Sequence, residues 1–207
     1  MAQDYVTVVF LPMPPRSRTV LKRIEILRSA AAAFRRRGYH GASVDEIART
    51  LHMTKGSLYY YFKSKEEILF FCHDYSVDIL LELLAEAEAS QAAPDEKLRR
   101  LIEAFVHMIL DELRGTALTL DVQALSPRLL RMVVAKRDRF DHGVRKIVEA
   151  GMDQGLFARG DAKLLTFAML GAVNWITRWF DPEGSASSEV IGQAFADYLL
   201  AGLKRGA

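Results

Sequence analysis

The residues with the most chemistry to offer stand close together in the first third of the chain. Lys55, Ser57, Tyr59, Tyr60 and Tyr61 set an ammonium, a hydroxyl and three phenols side by side, with Ser43 and Lys65 flanking them. Such groups donate hydrogen bonds to phosphate oxygens and reach base edges, so they suit recognition of DNA. They need elements that turn them outward. Val44, Ile47, Ala48 and Leu51 recur at i, i+3, i+4 and i+7, which predicts one buried helical face. Ser43 is a good N-cap for that helix, and Asp45 and Glu46 fall in its first turn, where carboxylates suit the helix dipole. Thr54 can cap a second helix, on which Leu58 and Phe62 stand four apart and point inward together. Two short helices joined by a tight turn form a helix-turn-helix unit, whose second helix lies in the major groove.

Charge supports this placement. The 207-residue chain carries a net charge of only +2, but residues 16–65 hold twelve Lys or Arg against three acids, a net of +9. Residues 66–207 hold 16 basic and 22 acidic side chains, a net of −6. A basic segment on an acidic body is the footprint of a polyanion-binding domain joined to one with another task. An uneven solvated surface would give the same totals, but not their coincidence with the helix-turn-helix. The five histidines are scattered, and no nucleophile–base set, glycine-rich phosphate loop or carboxylate cluster stands at a meaningful spacing, so no enzyme is expected. One cysteine excludes a disulfide framework and fits the cytoplasm. Cys72 and His73 are neighbours, about 100° apart on a helix, and are read as helix interior rather than a metal site.

The run Thr54-Lys55-Gly56-Ser57-Leu58-Tyr59-Tyr60-Tyr61-Phe62, followed by Lys63-Ser64-Lys65-Glu66-Glu67-Ile68-Leu69, resembles the DNA-binding domain of the TetR family of one-component bacterial repressors. Ala30 to Phe34, Arg37-Gly38-Tyr39 and Ser43-Val44 fit the same family upstream, and the resemblance covers roughly residues 20–80. Lys55, Ser57 and Tyr60 are then expected at base edges or a thymine methyl. Ser43, Tyr59, Tyr61 and Lys65 are expected to hold phosphates, and Val44, Thr54 and Gly56 complete the expected DNA-binding set. The sequence departs from the family at His52, where glycine is usual and the backbone tends to need φ > 0. Histidine there costs about 1 kcal/mol over glycine.

The rest of the chain reads as an all-α body, nine helices in all, in a TetR-like architecture. The expected division is a flexible or irregular tail over 1–17, the helix-turn-helix domain over 18–65 and an effector-binding and dimerisation domain over 66–207. Tyr5 to Leu11 is apolar but too short for a membrane span, and no basic residue precedes it. It reads as a tail, an extension upstream of a natural start at Met13, or an arm folded on the body. A helix from about Arg18 to Arg37 stops at Gly38. Arg35, Arg36 and Arg37 read mainly as surface charge. Ser64 and Glu67 form a capping box for a helix running to about Ala89, roughly 38 Å, that links head to body. Further helices are predicted from Pro94, over 116–125, from Pro127 to about Gln154, over 161–180, and from Ser187 or Ser188.

The helix over 161–180 is apolar on most faces, and its uncharged run Leu164 to Thr177 is too short to cross a membrane. It must be buried all round, by its own body or by another chain. Leu164, Phe167, Ala168, Gly171 and Ala172, with Ile191, Phe195, Tyr198 and Leu199, form the expected homodimer interface. The resemblance implies a four-helix contact across a two-fold axis, and so a palindromic operator on double-stranded DNA.

The run Gly171-Ala-Val-Asn-Trp-Ile-Thr-Arg-Trp-Phe-Asp-Pro-Glu-Gly184 resembles family members that respond to acyl-CoA thioesters in fatty-acid or steroid-type degradation. Arg178 suits a phosphate, while Trp175 or Trp179, beside Asn174, suit an adenine or an acyl chain. The same tryptophans would serve equally as dimer core. A separate apolar cavity is expected from Phe71, Tyr75, Phe105, Met108, Ile109, Leu125 and Phe140. No cofactor is expected beyond a small-molecule effector. The predicted function is a cytoplasmic, ligand-responsive transcriptional repressor. The alternative is an architectural DNA-binding protein without an effector, against which a body of about 130 residues argues.

Overall fold

The computed structural model describes residues 17–112, 121–181 and 184–204, apart from the side chain of Glu112. Within them run eight α-helices: α1 Arg18–Gly41, α2 Val44–Thr50, α3 Lys55–Tyr61, α4 Lys65–Ala89, α5 Pro94–His107, α6 Pro127–Asp153, α7 Ala162–Trp179 and α8 Ser188–Leu203. No strand occurs among the described residues, so the all-α expectation holds. The ninth predicted helix, over 116–125, is not seen: residues 113–120 lie outside the described residues, and its end is a 3-10 turn, Val122–Ala124, capped by Asp121. Residues 1–16, with Tyr5–Leu11 and Met13, also lie outside them.

Local chemistry sets the head, α1 to α3. The Ser17 hydroxyl accepts from the Val20 amide at 3.3 Å and starts α1. Its inward face begins at Ile24, since Val20 and Leu21 are exposed. Gly38, at φ +67 and ψ 168, breaks the helix where predicted, though outside the left-handed helical well, and one more turn carries the chain to Gly41. Ser43 and Thr54 cap α2 and α3, accepting from the Glu46 and Ser57 amides at 3.1 and 3.0 Å. Between them His52 stands at φ +52, the only described non-glycine residue with positive φ. The turn thus needs the conformation in which the family prefers glycine.

Ser64 caps α4, and Glu67 completes the capping pattern by accepting from the Lys63 amide at 2.6 Å, one residue ahead of the cap. Over its 25 residues α4 buries Ile68, Leu69 and Cys72 near the head and Ile79, Leu80 and Leu84 in the body. One continuous apolar core joins the two. Gly143 lets α6 approach α4 closely, because a Cβ there would fall 2.2 Å from Leu84 Cδ2. The Lys136 ammonium bridges Asp74 and Asp78 at 2.5 and 2.7 Å, fixing the same pair of helices. Glu66 accepts from the Ser126 amide at 2.7 Å, which ties the start of α4 to the start of α6 and lowers the carboxyl's pKa. α5 runs on into a π turn, Met108–Glu112, and Arg99 joins it to α8 through Asp197 at 2.7 Å. No described helix is long and apolar enough to cross a membrane.

Candidate nucleic-acid interface and effector body

On α3, Leu58 is fully buried and the adjoining Phe62 nearly so, which anchors the helix and turns its other faces outward. Lys55, Gly56, Ser57, Tyr59 and Tyr60 are exposed, Tyr60 to 82%. Tyr61 is half-buried, with its ring edge-on to Tyr60 at 5.2 Å. The Lys55 ammonium meets Asp45 of α2 at 2.8 Å; that hydrogen bond raises its pKa and sets α3 against α2. Thr54 spends its hydroxyl on the cap and on Ser57 Oγ at 2.8 Å. Val44, expected in the DNA-binding set, is buried and seats α2 on the core instead of reaching outward. Arg36 and Arg37 are exposed, as expected of surface charge, and both face Glu46 of α2, at 3.2 and 3.6 Å.

Lys65 departs furthest from its expected role. Its ammonium donates to the Tyr39 and Ala42 carbonyls at 2.8 and 3.1 Å and lies 3.5 Å from that of His40. It also sits 4.5 Å from the centre of the Tyr39 ring. An ammonium has three donors; here each faces a carbonyl left open where α1 ends. Lys65 is therefore a strut between α1 and α4 rather than a free phosphate ligand. The partners lie 23 to 26 residues back in the chain, beyond any local pattern.

The eleven residues expected around an effector fall into two groups, as the two expected places require. Phe71 and Tyr75 continue an aromatic row from Phe62, with centroid separations of 5.3 and 5.7 Å, and the Arg23 guanidinium lies 4.5 Å from the Phe71 ring. Phe105 and Phe140 meet edge to face at 5.8 Å and are buried, as are Met108, Ile109 and Leu125. Asn174, Trp175, Arg178 and Trp179 are exposed on α7. Periodicity does not tell core from pocket: aromatic residues three or four apart fill a core as readily as they line a pocket. Arg178 does border a cleft of about 200 Å³ between head and body, with Arg35, Gly38 and Tyr39 of α1, Leu69 of α4 and Asp121. Cys72 and His73 part as their 100° offset requires. Cys72 Sγ faces the Leu27 carbonyl of α1 at 3.9 Å, whereas His73 Nδ1 faces Arg137 of α6 at 3.1 Å. Nothing in the sequence paired these two. Arg137 stands in a charge-rich helix and reads as surface.

α7 carries an exposed apolar stripe. Leu164, Phe167, Ala168, Gly171, Trp175 and Trp179 are exposed and recur at helical spacing, with Ala172 half-buried beside them. A Cβ at Gly171 would meet nothing within 4 Å. On α8, Val190 and Tyr198 are exposed to 57% and 80%, and Phe195 stacks on Trp179 at 6.3 Å. Leu199 is half-buried. Ile191, expected at the interface, is buried in its own protomer's core, one position round the helix from exposed Val190.

Residues 26–70 match the family described as bacterial regulatory proteins, tetR family, and residues 91–203 match the tetracyclin repressor-like C-terminal domain. The HTH-type transcriptional repressor KstR2 of Mycolicibacterium smegmatis is 29% identical over 93% of this chain and 93% of its own. The crystal structure of PfmR, a TetR family transcriptional regulator from Thermus thermophilus, is 34% identical with a TM-score of 0.77, over 87% of this chain and 99% of that one. AibR, solved in complex with isovaleryl coenzyme A and operator DNA, is 29% identical with a TM-score of 0.72, over 88% of this chain and 98% of its own.

Proposed function

This chain belongs to the TetR family of DNA-binding transcriptional regulators, and from that premise we propose that it is a homodimeric repressor released from a palindromic operator by an apolar, acid-derived effector. The observation that carries the reading is the pairing of two exposed surfaces on one chain: the α3 face around Lys55, Ser57 and Tyr60, and the apolar stripe of α7 and α8. The first suits the major groove. The second, left uncovered in a monomer, suits a second copy of itself across a two-fold axis. Two heads so related match half-sites one helical turn apart, about 34–36 Å. An acyl-CoA thioester is the preferred effector class, because AibR carries isovaleryl coenzyme A in its solved complex. Effector binding in the body displaces α4. Since Lys65 fixes α4 to the end of α1, the head follows, and the two recognition helices lose their spacing.

The test is a gel shift with the gene's own upstream DNA, with and without acyl-CoA thioesters, beside a thermal-shift screen of the same compounds. The expected result is a retarded band, a two-fold symmetric footprint, and release of the DNA by one acyl-CoA class. If no thioester moves the melting temperature or the band, the effector class falls and the DNA-binding function stands.

A further inference from the structure

The cleft between head and body is faced by one cation from each side. Arg35 stands on α1, one turn before the break at Gly38, and Arg178 stands in the last turn of α7. Both are exposed, and among the described residues neither pairs with a carboxylate. The neighbours of Arg35 differ in this, since Arg36 and Arg37 share Glu46. Asp121 is the one acidic residue among those that line the cleft. Its Oδ1 accepts from the Gln123 amide at 3.1 Å, and it pairs with neither arginine. The Thr177 hydroxyl is turned to the Asn174 carbonyl at 2.9 Å. Phe34 and Leu69, both buried, close the cleft on the core side.

A guanidinium has donors and no acceptor, and two of them facing one space repel each other. A single anion between them replaces that repulsion with two attractions. The space sets its size. At about 200 Å³ the cleft is smaller than the roughly 300–1,000 Å³ of a pocket that encloses a drug-sized ligand. It holds one small anionic group and not a whole acyl-CoA thioester. A phosphate suits two arginines on facing walls better than a carboxylate does. Its oxygens point in several directions and accept from two planar forks, whereas the two oxygens of a carboxylate lie in one plane and match a single fork.

We propose that this cleft binds one phosphate group, held by Arg35 from the head and Arg178 from the body. The group is free phosphate or the phosphate of a larger ester whose remainder stays outside. Bound there, it ties α7 to the end of α1, where Lys65 already joins α4. Head and body then share a second joint, made and broken with the ligand. The inference rests on the cleft alone and stands whether or not the body takes an acyl effector.

The test uses the full-length protein, read by calorimetry and thermal shift. The probes are potassium phosphate, potassium chloride at equal ionic strength, octanoyl-CoA, and octanoyl-pantetheine, which lacks the phosphates. Phosphate is expected to bind the wild type and raise its melting temperature above that in chloride. Arg178→Met and Arg35→Met are each expected to melt with the wild type in chloride and to lose at least about tenfold in phosphate affinity. Arg178→Lys, which keeps the charge and loses the planar fork, retains part of the affinity. Arg178 belongs to the body, so phosphate held by the recognition helix survives its loss. Equal binding of phosphate by the wild type and Arg178→Met therefore overturns the proposal. If free phosphate does not bind the wild type, the ester is the remaining source. Octanoyl-CoA must then bind more tightly than octanoyl-pantetheine and lose that advantage in both methionine variants, and equal binding of the two thioesters overturns the proposal. Should one methionine variant fail to fold, the other must show the loss alone. The effector reading is judged by a separate result, release of operator DNA by an acyl ligand.

Discussion

In the head, nearly every polar group that folding creates is answered from within. Ser43, Thr54 and Ser64 cap their helices, Glu46 takes Arg36 and Arg37, and Lys65 fills the open carbonyls at the end of α1. In the body, Arg137 has no acid among the described residues, His73 Nε2 is buried without a partner, and α7 shows Leu164, Phe167 and Trp175 to solvent. The contrast follows from the two tasks. A reading head must arrive at DNA already shaped, because a loose recognition helix would lose affinity to ordering. A body that senses and dimerises must keep groups that only another molecule completes.

The largest expected effect tests the incomplete half. Trp175→Glu places a charge in the α7 stripe, and a buried interface aromatic commonly contributes about 2 kcal/mol or more. The variant should fold, because Trp175 is 64% exposed, but sediment as a monomer and bind operator at least about thirtyfold more weakly. A stable dimer at low concentration would remove this stripe from the comparison.

Next comes a pair that separates strut from reader. Lys65→Ala leaves three carbonyls without their charged donor, a loss of about 1–3 kcal/mol, and should lower Tm by several degrees while the salt dependence of DNA binding keeps its slope. Tyr60→Ala should leave Tm within about 1 °C and weaken binding by about 1–3 kcal/mol at particular bases. If Lys65→Ala instead keeps its Tm and flattens the salt dependence, Lys65 belongs with the phosphate contacts after all.

Acid should find the body first. The folded His73 is held near about 3 against an ordinary 6.5, so between those values the unfolded chain binds the extra proton. The stability linked to this histidine is complete above pH 6.5 and falls as the pH drops toward 3, by at most about 1.4 kcal/mol per pH unit. His73→Gln should flatten that part of a Tm-against-pH curve. An unchanged curve would mean that His73 is neither buried nor neutral in solution.

The smallest effect lies in the head. His52→Gly relieves a positive φ and should raise stability by about 0.5–1 kcal/mol, measured by denaturant unfolding, with operator affinity held within about threefold. A larger loss of affinity would show that the histidine side chain takes part in binding.

These two halves were also unequally legible. The head's caps and its inward residues are set by neighbours within about four positions, so their spacing states them; the strained turn at His52 was marked by the resemblance, which puts glycine there. The body's exposed stripe was legible for the opposite reason: a helix apolar on all faces has more surface to bury than one protomer covers. What could not be read were pairings across the fold. Lys65 with the end of α1, and Arg137 with His73, join residues 23 to 64 positions apart. The pocket residues could not be told from core, because Phe105 and Phe140 are buried with the same side chains that would line a cavity.

The Lys65 strut also bears on how crisply such a molecule can switch. A lever is limited by the slack at its fulcrum: any looseness there absorbs the input before the far end turns. Hydrogen bonds to the Tyr39 and Ala42 carbonyls and a seat on the Tyr39 ring take up that slack where α4 leaves the head. In the mechanism proposed above, small displacements in the body would then reach the DNA undiminished, and backlash at this joint would set the threshold for the response.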